Sequence, residues 1–216
     1  MLSIPQIVSF FCCDFTKTFA LLVKEYPLQS EDDIRKEYAI LERSGKNPQA
    51  FGELYELYYD RIFNFIYRQT DDEELTADLC SQTFLNALKN ASKFEFRGLP
   101  ISAWFYRIAS NEVNKHYRKV KKEKVFSIEE VLIKELIEIS NDSWSDELIQ
   151  RLLDYMKELP TDMLEVLQLR FFEDKDFKEI AFILSITESG AKMRTYRALD
   201  RLRKNFNLSI KYDGKQ

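Results

Sequence analysis

The stretch DFKEIAFILSITESGAKMRTYRALDRLRK, residues 176–204, decides the fold of the C-terminal part of this chain. Its first third places apolar side chains at i, i+3, i+4 and i+7: Phe177, Ile180, Ala181 and Leu184. That spacing predicts a short helix with one buried face, begun by Asp176 as its cap. Residues 185–187 (Ser-Ile-Thr) then predict a tight turn, in which Thr187 is suited to cap a second helix.

The second helix of this stretch is predicted to be basic on its outer side. One face collects small and apolar residues: Ala191, Thr195, Ala198, Leu199 and Leu202. The other side chains point away from it: Lys192, Met193, Tyr196, Arg197 and Arg203. A short helix, a three-residue turn and a basic second helix are typical of a helix-turn-helix that places its second helix in the major groove of DNA. An ordinary helical hairpin with a solvated basic face is the alternative.

The composition favours an all-α protein without metal or nucleophilic chemistry. Of 216 residues, 45% are hydrophobic, and glycine and proline number only five each. The three cysteines are Cys12, Cys13 and Cys80, an odd number at no metal-ligand spacing, so we expect free thiols in the cytoplasm. His116 is the single histidine. Neither a zinc site nor a nucleophile–base pair is expected, and no cofactor is expected.

The charges are distributed in blocks, although the formal net charge is −4. Residues 104–124 hold seven Lys or Arg against two acids (+5), and residues 177–204 hold seven against three (+4). Between them, residues 125–150 hold one Lys against seven acids (−6). Two basic blocks joined by an acidic connector predict two contacts with a polyanion such as nucleic acid. Solvated charged faces are the alternative interpretation.

Two helices are predicted over residues 32–69, broken at residues 44–48 (Ser-Gly-Lys-Asn-Pro). The second carries a wide apolar stripe: Phe51, Leu54, Tyr55, Tyr58, Ile62, Phe65 and Ile66. A third helix is predicted to start at the acids of residues 71–74, where the helix dipole favours negative charge, and to run to about residue 90. Its apolar contacts are predicted to be Leu75, Leu79, Phe84, Leu85 and Leu88, and its polar strip Asp78, Ser81, Gln82 and Asn86.

A loop over residues 93–100 precedes a long helix from Ile101 to about Lys122. Its apolar residues are predicted to pack inward: Ile101, Trp104, Phe105, Ile108 and Val113. A second face recurs at i, i+4, i+7, i+8 and i+11: Arg107, Asn111, Asn114, Lys115 and Arg118. Such a face can pair with phosphates and read base edges, and asparagine is suited to adenine. Residues 1–30 form an apolar arm interrupted by Pro5, Asp14 and Lys17, and no membrane insertion is expected.

Three pieces together resemble a bacterial RNA polymerase sigma factor of the sigma-70 family and the extracytoplasmic-function (ECF) class. They are ADLCSQTFLNAL (77–88), FRGLPISAWFYRIASNEVNKHYRK (96–119) and LPTDMLEVLQLRFFEDKDFKEIAFILSITESGAKMRTYRALDRLRK (159–204). The resemblance covers about residues 32–206, and the order and spacing of the pieces carry it. It implies two small helical domains: a region 2-like bundle over 31–122, an acidic linker over 123–145 and a region 4-like helix-turn-helix domain over 146–206. Residues 207–216 are then a tail.

The resemblance also implies site residues and partners. Asp78, Ser81 and Gln82 would bind core polymerase. Five residues would bind the −10 promoter element: Arg97, Arg107, Asn111, Lys115 and Arg118. Five would bind the −35 element: Lys192, Met193, Arg194, Tyr196 and Arg197. An anti-sigma factor is a further expected partner, and neither a small-molecule substrate nor catalysis is expected.

Two departures from the family pattern stand out. The family commonly has Asp-Leu-x-Gln-Glu in the polymerase-binding motif, where this chain has Ser81 and Gln82. In the recognition helix the family usually has larger apolar residues at the positions of Ala191 and Thr195. The rival function is a stand-alone helix-turn-helix regulator that binds DNA as a dimer, but it has no use for the long Arg/Asn helix. An enzyme is the remaining alternative, and a single histidine with scattered acids offers no catalytic constellation.

Overall fold

The computed structural model describes residues 31–96, 98–121, 124, 126 and 146–213, and in these it contains helices and no strands. Eight α-helices follow one another in the described residues: α1 Glu31–Ser44, α2 Phe51–Thr70, α3 Glu73–Asn90, α4 Ile101–Val120, α5 Asp146–Lys157, α6 Thr161–Leu167, α7 Phe177–Leu184 and α8 Glu188–Asp213. Short 3-10 turns lie at Pro48–Ala50 and Ala91–Lys93, and a π-helical turn at Gln168–Phe172. The all-α fold is thereby confirmed.

The described residues group into two compact units. The first contains those from 31 to 126 together with Lys178–Thr187, and the second contains those from 146 to 177 together with those from 188 to 213. This grouping divides the predicted helix-turn-helix between the units, because α7 belongs to the first and α8 to the second. The N-terminal arm, most of the linker, the end of the tail and Arg97 lie outside the described residues.

The first unit is a bundle in which α2, α3 and α4 pack against one another and α1 packs on α2. Its core is rich in aromatic rings: Phe51, Tyr58, Phe65, Phe84, Phe105 and Tyr106 are buried. The predicted stripe of α2 is confirmed except at Tyr55, which is 42% exposed, and the predicted inward position of Leu85 on α3 is wrong, because that side chain is 45% exposed. Periodicity places a residue near the buried arc of a helix but cannot fix where the neighbouring helix ends.

The predicted helix boundaries of the first unit follow local rules. Asn47 caps the turn that contains Pro48, so the chain breaks between α1 and α2 where the sequence predicts. The carboxylate of Asp72 accepts a hydrogen bond from the N–H of Leu75 at 3.0 Å and begins α3. The hydroxyl of Tyr117 donates to the carbonyl of Gln69 at 3.1 Å, which ties the end of α4 to the end of α2. The C-terminal end of α4 is therefore anchored to α2 by a buried hydrogen bond.

α7 ends in a tight turn whose geometry explains the break that the sequence predicts. Ser185 has φ +56°, a left-handed conformation, and the N–H of Ile186 donates to the carbonyl of Ala181 at 3.0 Å. This 6→1 bond is the one that closes a helix end in the Schellman motif. On α7 Ile180 and Ile183 are the buried apolar residues, whereas Phe177, Ala181 and Leu184, all predicted to lie on the buried face, are half-buried.

The second unit packs α5 and α6 against α8. Its buried side chains are mainly aliphatic: Leu152, Leu153, Met156, Leu159, Leu164, Val166, Leu167, Leu169, Leu199 and Leu202. The face of α8 that the sequence predicts to be buried is buried at every position, namely Ala191, Thr195, Ala198, Leu199 and Leu202. Thr195 is accommodated there because its hydroxyl donates to the carbonyl of Ala191 at 3.0 Å.

Candidate nucleic-acid interface

The exposed face of α4 is the first part of the candidate interface. Asn111, Lys115 and Arg118 are exposed, as the spacing along the helix predicts, and Asn114 is half-buried. Arg107 differs from them, because its guanidinium donates to the carbonyl of Phe182 at 2.9 Å and lies 4.6 Å from the centre of that ring. The face therefore presents one amide and two cations to solvent within three helical turns.

A cavity of about 470 Å³ lies beside this face in the first unit. Its lining comprises Lys93, Phe94, Glu95, Leu99, Pro100, Trp104, Arg107, Ile108, Asn111 and Phe182. The indole of Trp104 packs on the ring of Phe94, with centroids 4.8 Å apart, and on that of Phe105 at 5.7 Å. Trp104, which the sequence predicts to lie in the core, is half-buried and has one side in the cavity. The cavity combines aromatic surfaces with the amide of Asn111 and the charge of Arg107.

The polymerase-binding residues expected from the sequence lie together along α3. Asp78 and Ser81 are exposed and Gln82 is half-buried. The amide of Gln82 donates to Oδ1 of Asn86 at 3.0 Å, and Nδ2 of Asn86 donates to Glu112 on α4 at 3.0 Å. The sequence analysis included Asn86 in the polar strip but gave Glu112 no role, since a bond between two helices leaves no trace in either helical period.

Four of the five residues predicted to contact the −35 element lie outward on the first turns of α8. Lys192 and Arg197 are exposed, and Met193 and Tyr196 expose 52% and 57% of their surface. Arg194 is half-buried and its Nε lies 3.5 Å from Oδ2 of Asp162 on α6. Large apolar side chains exposed between cations are suited to a groove that offers thymine methyl groups and phosphates.

Ion pairs within α8 partly neutralise its positive charge. Nζ of Lys192 lies 2.7 Å from Oε1 of Glu188, and this hydrogen bond raises the pKa of Lys192. Asp200 pairs with Arg203 and Lys204 at 3.0 and 2.8 Å. The hydrogen bond from Lys204 lowers the pKa of Asp200. All three pairs are largely exposed to solvent, so they orient the cations but bind them weakly.

The described part of the chain contains neither a cluster of metal-ligating side chains nor a membrane-spanning helix. No group of three or more His, Cys, Asp or Glu side chains is arranged there to hold a metal ion. Among the helices of the described residues, none is both long and apolar enough to cross a bilayer.

Two family models match this chain, one after the other along the sequence. Sigma-70 region 2 matches residues 54–123, which include α3 and α4, and Sigma-70, region 4 matches residues 155–204, which include α6, α7 and the first part of α8. The RNA polymerase sigma factor YlaC of Bacillus subtilis (strain 168) is 30% identical over 171 residues, covering 76% of this chain and 96% of YlaC. The chain belongs to the sigma-70 family.

Other relatives give the class of this sigma factor. The ECF RNA polymerase sigma factor SigM of Bacillus subtilis (strain 168) is 28% identical over 160 residues, covering 73% of this chain and 96% of SigM. The chain is an RNA polymerase sigma factor of the ECF class, a transcription initiation factor whose partners are core RNA polymerase and promoter DNA. The same matches favour it over a stand-alone dimeric regulator.

Solved structures share the fold of this sigma factor. CnrH in complex with the cytosolic domain of CnrY has a TM-score of 0.54 and 19% identity, covering 83% of this chain and 98% of that one. The sigma factor RpoE in complex with the anti-sigma factor NepR from Bartonella quintana has a TM-score of 0.52 and 20% identity, covering 72% and 95%. At this identity the likeness extends to the arrangement of helices.

Proposed function

We propose that the exposed face of α4 binds the −10 element and that the adjacent cavity receives a base flipped out of the duplex. The observation that carries this proposal is the position of Asn111, which is exposed on the face and also lines the cavity. A flipped base needs a stacking surface and a hydrogen-bonding edge, and Phe94, Trp104 and Asn111 offer both. Lys115 and Arg118 then bind the flanking phosphates.

Arg107 and Arg97 complete the proposed −10 contacts in different ways. Arg107 reaches a phosphate only by exchanging its present partner, the carbonyl of Phe182, so we expect its contribution to be smaller than that of Asn111. Arg97 belongs to the loop before α4 in sequence and lies outside the described residues. Its assignment follows from the family resemblance.

Asp78, Ser81 and Gln82 are proposed to contact core polymerase. Asp78 and Ser81 are exposed along the strip of α3 that also contains Gln82, which supports this assignment, since a docking helix must present its polar groups to the partner. The sequence has Ser81 and Gln82 where the family commonly has Gln and Glu, so the surface carries one acid, Asp78, in place of two. We expect the affinity for core polymerase to depend on Asp78 more than on its neighbours.

α8 is proposed to read the −35 element from the major groove. Its candidate contacts are Lys192, Met193, Arg194, Tyr196 and Arg197, of which all but Arg194 are exposed. Residues 31–122 and 146–206 then act as two DNA-binding modules joined by an acidic linker over 123–145. Linking two weak modules makes the second contact effectively intramolecular, so free sigma factor binds promoter DNA poorly and the holoenzyme binds it well.

The remaining proposals concern what accompanies promoter recognition. The protein has no catalysis of its own, works in the cytoplasm and binds an anti-sigma factor. The solved structure of the sigma factor RpoE, which shares this fold and is bound to the anti-sigma factor NepR, supports a partner of the last kind. The apolar arm of residues 1–30 and the linker are where such regulation is proposed to attach.

Transcription in vitro with bacterial core polymerase and a pool of genomic promoter fragments tests the proposed sites. Start sites that require the protein give its −10 and −35 preferences. Asn111→Ala is expected to weaken promoter opening by roughly 1–3 kcal/mol, about 5- to 150-fold, because one base contact is lost. Its affinity for core polymerase, measured separately, should equal that of the wild type.

Asp78→Ala is the matched variant on the other surface. It is expected to weaken the binding of core polymerase while leaving promoter selection by the assembled holoenzyme unchanged. If Asn111→Ala lowered only the affinity for core polymerase, or Asp78→Ala altered only the −10 preference, the two surfaces would be assigned the wrong way round.

A further inference from the structure

Glu112 is a mostly buried carboxylate on the helix whose outer face carries Asn111 and Lys115. Its side chain is 13% exposed, whereas that of Lys115 is 68% exposed. Its two oxygens have different partners: Oε1 accepts a hydrogen bond from Nδ2 of Asn86 at 3.0 Å, and Oε2 lies 3.4 Å from Nζ of Lys115. Glu112 therefore joins α3 to the exposed face of α4.

The link continues along α3. Nε2 of Gln82 donates to Oδ1 of Asn86 at 3.0 Å, so the amide of Asn86 is bonded on both sides. A continuous chain of polar contacts runs from Gln82 through Asn86 and Glu112 to Lys115. Its first member belongs to the proposed polymerase-binding strip, and its last member belongs to the proposed −10 face.

A carboxylate on a DNA-binding face has an electrostatic cost, because it repels the phosphates that the face must approach. Glu112 is the single acid between residues 101 and 120. Its bond to Asn86 keeps its carboxylate toward α3, and its charge offsets that of Lys115. The consequence is a DNA face with less net charge than its cations alone would give and with one of those cations held in a fixed orientation.

We propose that Glu112 is a positioning residue that sets the specificity of the −10 face, an inference that rests on the proposed role of α4. Non-specific DNA binding comes almost entirely from charge, whereas sequence is read by base contacts. By holding Lys115 and offsetting its charge, Glu112 lowers the affinity for non-promoter DNA more than that for promoter DNA. The ratio of the two affinities decides which sites a sigma factor occupies.

Glu112→Gln in the holoenzyme tests this role, because glutamine keeps the volume and the acceptor for Asn86 but removes the charge. We expect tighter binding of a non-promoter duplex, with the slope of log K against log salt steeper by about 0.9, the value of one more phosphate contact. The ratio of promoter to non-promoter affinity should fall. An unchanged or shallower slope would overturn the inference.

Two further variants separate positioning from simple charge. Glu56→Gln removes an exposed acid from α2 and changes the net charge equally, so its slope should equal that of the wild type. Combining Glu112→Gln with Lys115→Met should give the slope of Lys115→Met alone, because Glu112 acts through Lys115. If Glu56→Gln steepened the slope as much as Glu112→Gln, or the steepening persisted without Lys115, the positioning role would be wrong.

The single variant Lys115→Met separates a failure of the role of Glu112 from a failure of the proposed −10 role of α4. On a promoter duplex that variant should make the slope shallower by about 0.9, because a phosphate contact is lost. On a non-promoter duplex its slope should equal that of the wild type, because Glu112 already withholds Lys115 from the phosphates there. An unaltered slope on the promoter duplex would remove Lys115 from the −10 face and overturn both proposals. A shallower promoter slope for Lys115→Met together with a wild-type non-promoter slope for Glu112→Gln would overturn the role of Glu112 alone.

Discussion

The two units of this sigma factor are built from different kinds of side chain. The first has a core of interlocking rings: Phe105 lies within 6.1 Å, centroid to centroid, of Phe51, Tyr58 and Phe84. The second has a core of leucine, methionine and valine. Rings are rigid and meet at preferred angles, whereas aliphatic side chains adapt more readily to a change of neighbour. The comparison indicates that the surface proposed to open DNA rests on the less adaptable core.

The side chains that we propose to face DNA differ between the two units as well. On α4, Asn111 and Arg118 are exposed, and Lys115 is paired with a carboxylate that is itself bonded to another helix. On α8, Lys192 pairs with Glu188 one turn earlier, and both side chains are solvent-exposed. Glu112, the partner of Lys115, is held by a hydrogen bond to Asn86 on another helix. Glu188, the partner of Lys192, lies on the same helix as that lysine. A cation paired locally is released more readily to a phosphate.

Phe105→Ala is the largest test of the difference between the cores. We expect a loss of about 3–5 kcal/mol of unfolding free energy, because a fully buried ring leaves a cavity among other rigid rings. Hydrogen exchange should increase in α2, α3 and α4. Leu57→Ala, at a position 47% exposed, should change stability by less than about 0.5 kcal/mol. If Phe105→Ala lost as little unfolding free energy as Leu57→Ala, the aromatic core would be shown to adapt to the deletion.

Leu167→Ala is the counterpart in the second unit and should increase hydrogen exchange in α5, α6 and α8. An aliphatic core that relaxes around the deletion gives a cost toward the lower end of about 2–5 kcal/mol. Equal losses for the two variants would remove the contrast between aromatic and aliphatic packing.

Arg197→Ala and Lys192→Ala test the contrast between the DNA faces at an intermediate scale. Arg197 is exposed, and a base contact from it is worth about 1–3 kcal/mol of −35 discrimination. Lys192 gives up its pair with Glu188 on reaching a phosphate, so its removal should reduce the salt slope by about 1 and leave sequence preference unaltered. Binding of the holoenzyme to promoters with a substituted −35 element, at several salt concentrations, measures both. Loss of discrimination in Lys192→Ala alone would reverse the two roles.

The smallest expected effect concerns the reactivity of the Cys80 thiol, which we expect to be low in the native protein. Burial within the first unit raises the pKa of this thiol to about 12, so the reactive thiolate is scarce near neutral pH. Alkylation at pH 8 followed by peptide mass spectrometry should leave Cys80 unmodified in the native protein and modify it after denaturation. Rapid native labelling would mean that the aromatic bundle opens far more often than its packing indicates.

Local chemistry predicted much of this structure. The Ser-Gly-Lys-Asn-Pro break and the turn at Ser185 both lie where the sequence indicates, because each depends on side chains within a few residues. The buried face of α8 also follows from its period. Tyr55 and Leu85 are exposed although the helical period predicts that they pack inward. Both lie at the edge of an apolar stripe, and neighbouring helices set how much of that stripe is covered.

The sequence by itself determined the class of this protein: an all-α chain with two basic blocks and with motifs in the order of a sigma factor. Helical period, capping and charge each depend on residues that are close together in the sequence, so they can be recognised without the tertiary structure. The tertiary structure alone decided that Glu112 bonds Asn86 across two helices, that Arg107 lies against Phe182, and that Asn111 borders a cavity. The first two contacts join residues 26 and 75 positions apart, and only packing brings such residues together.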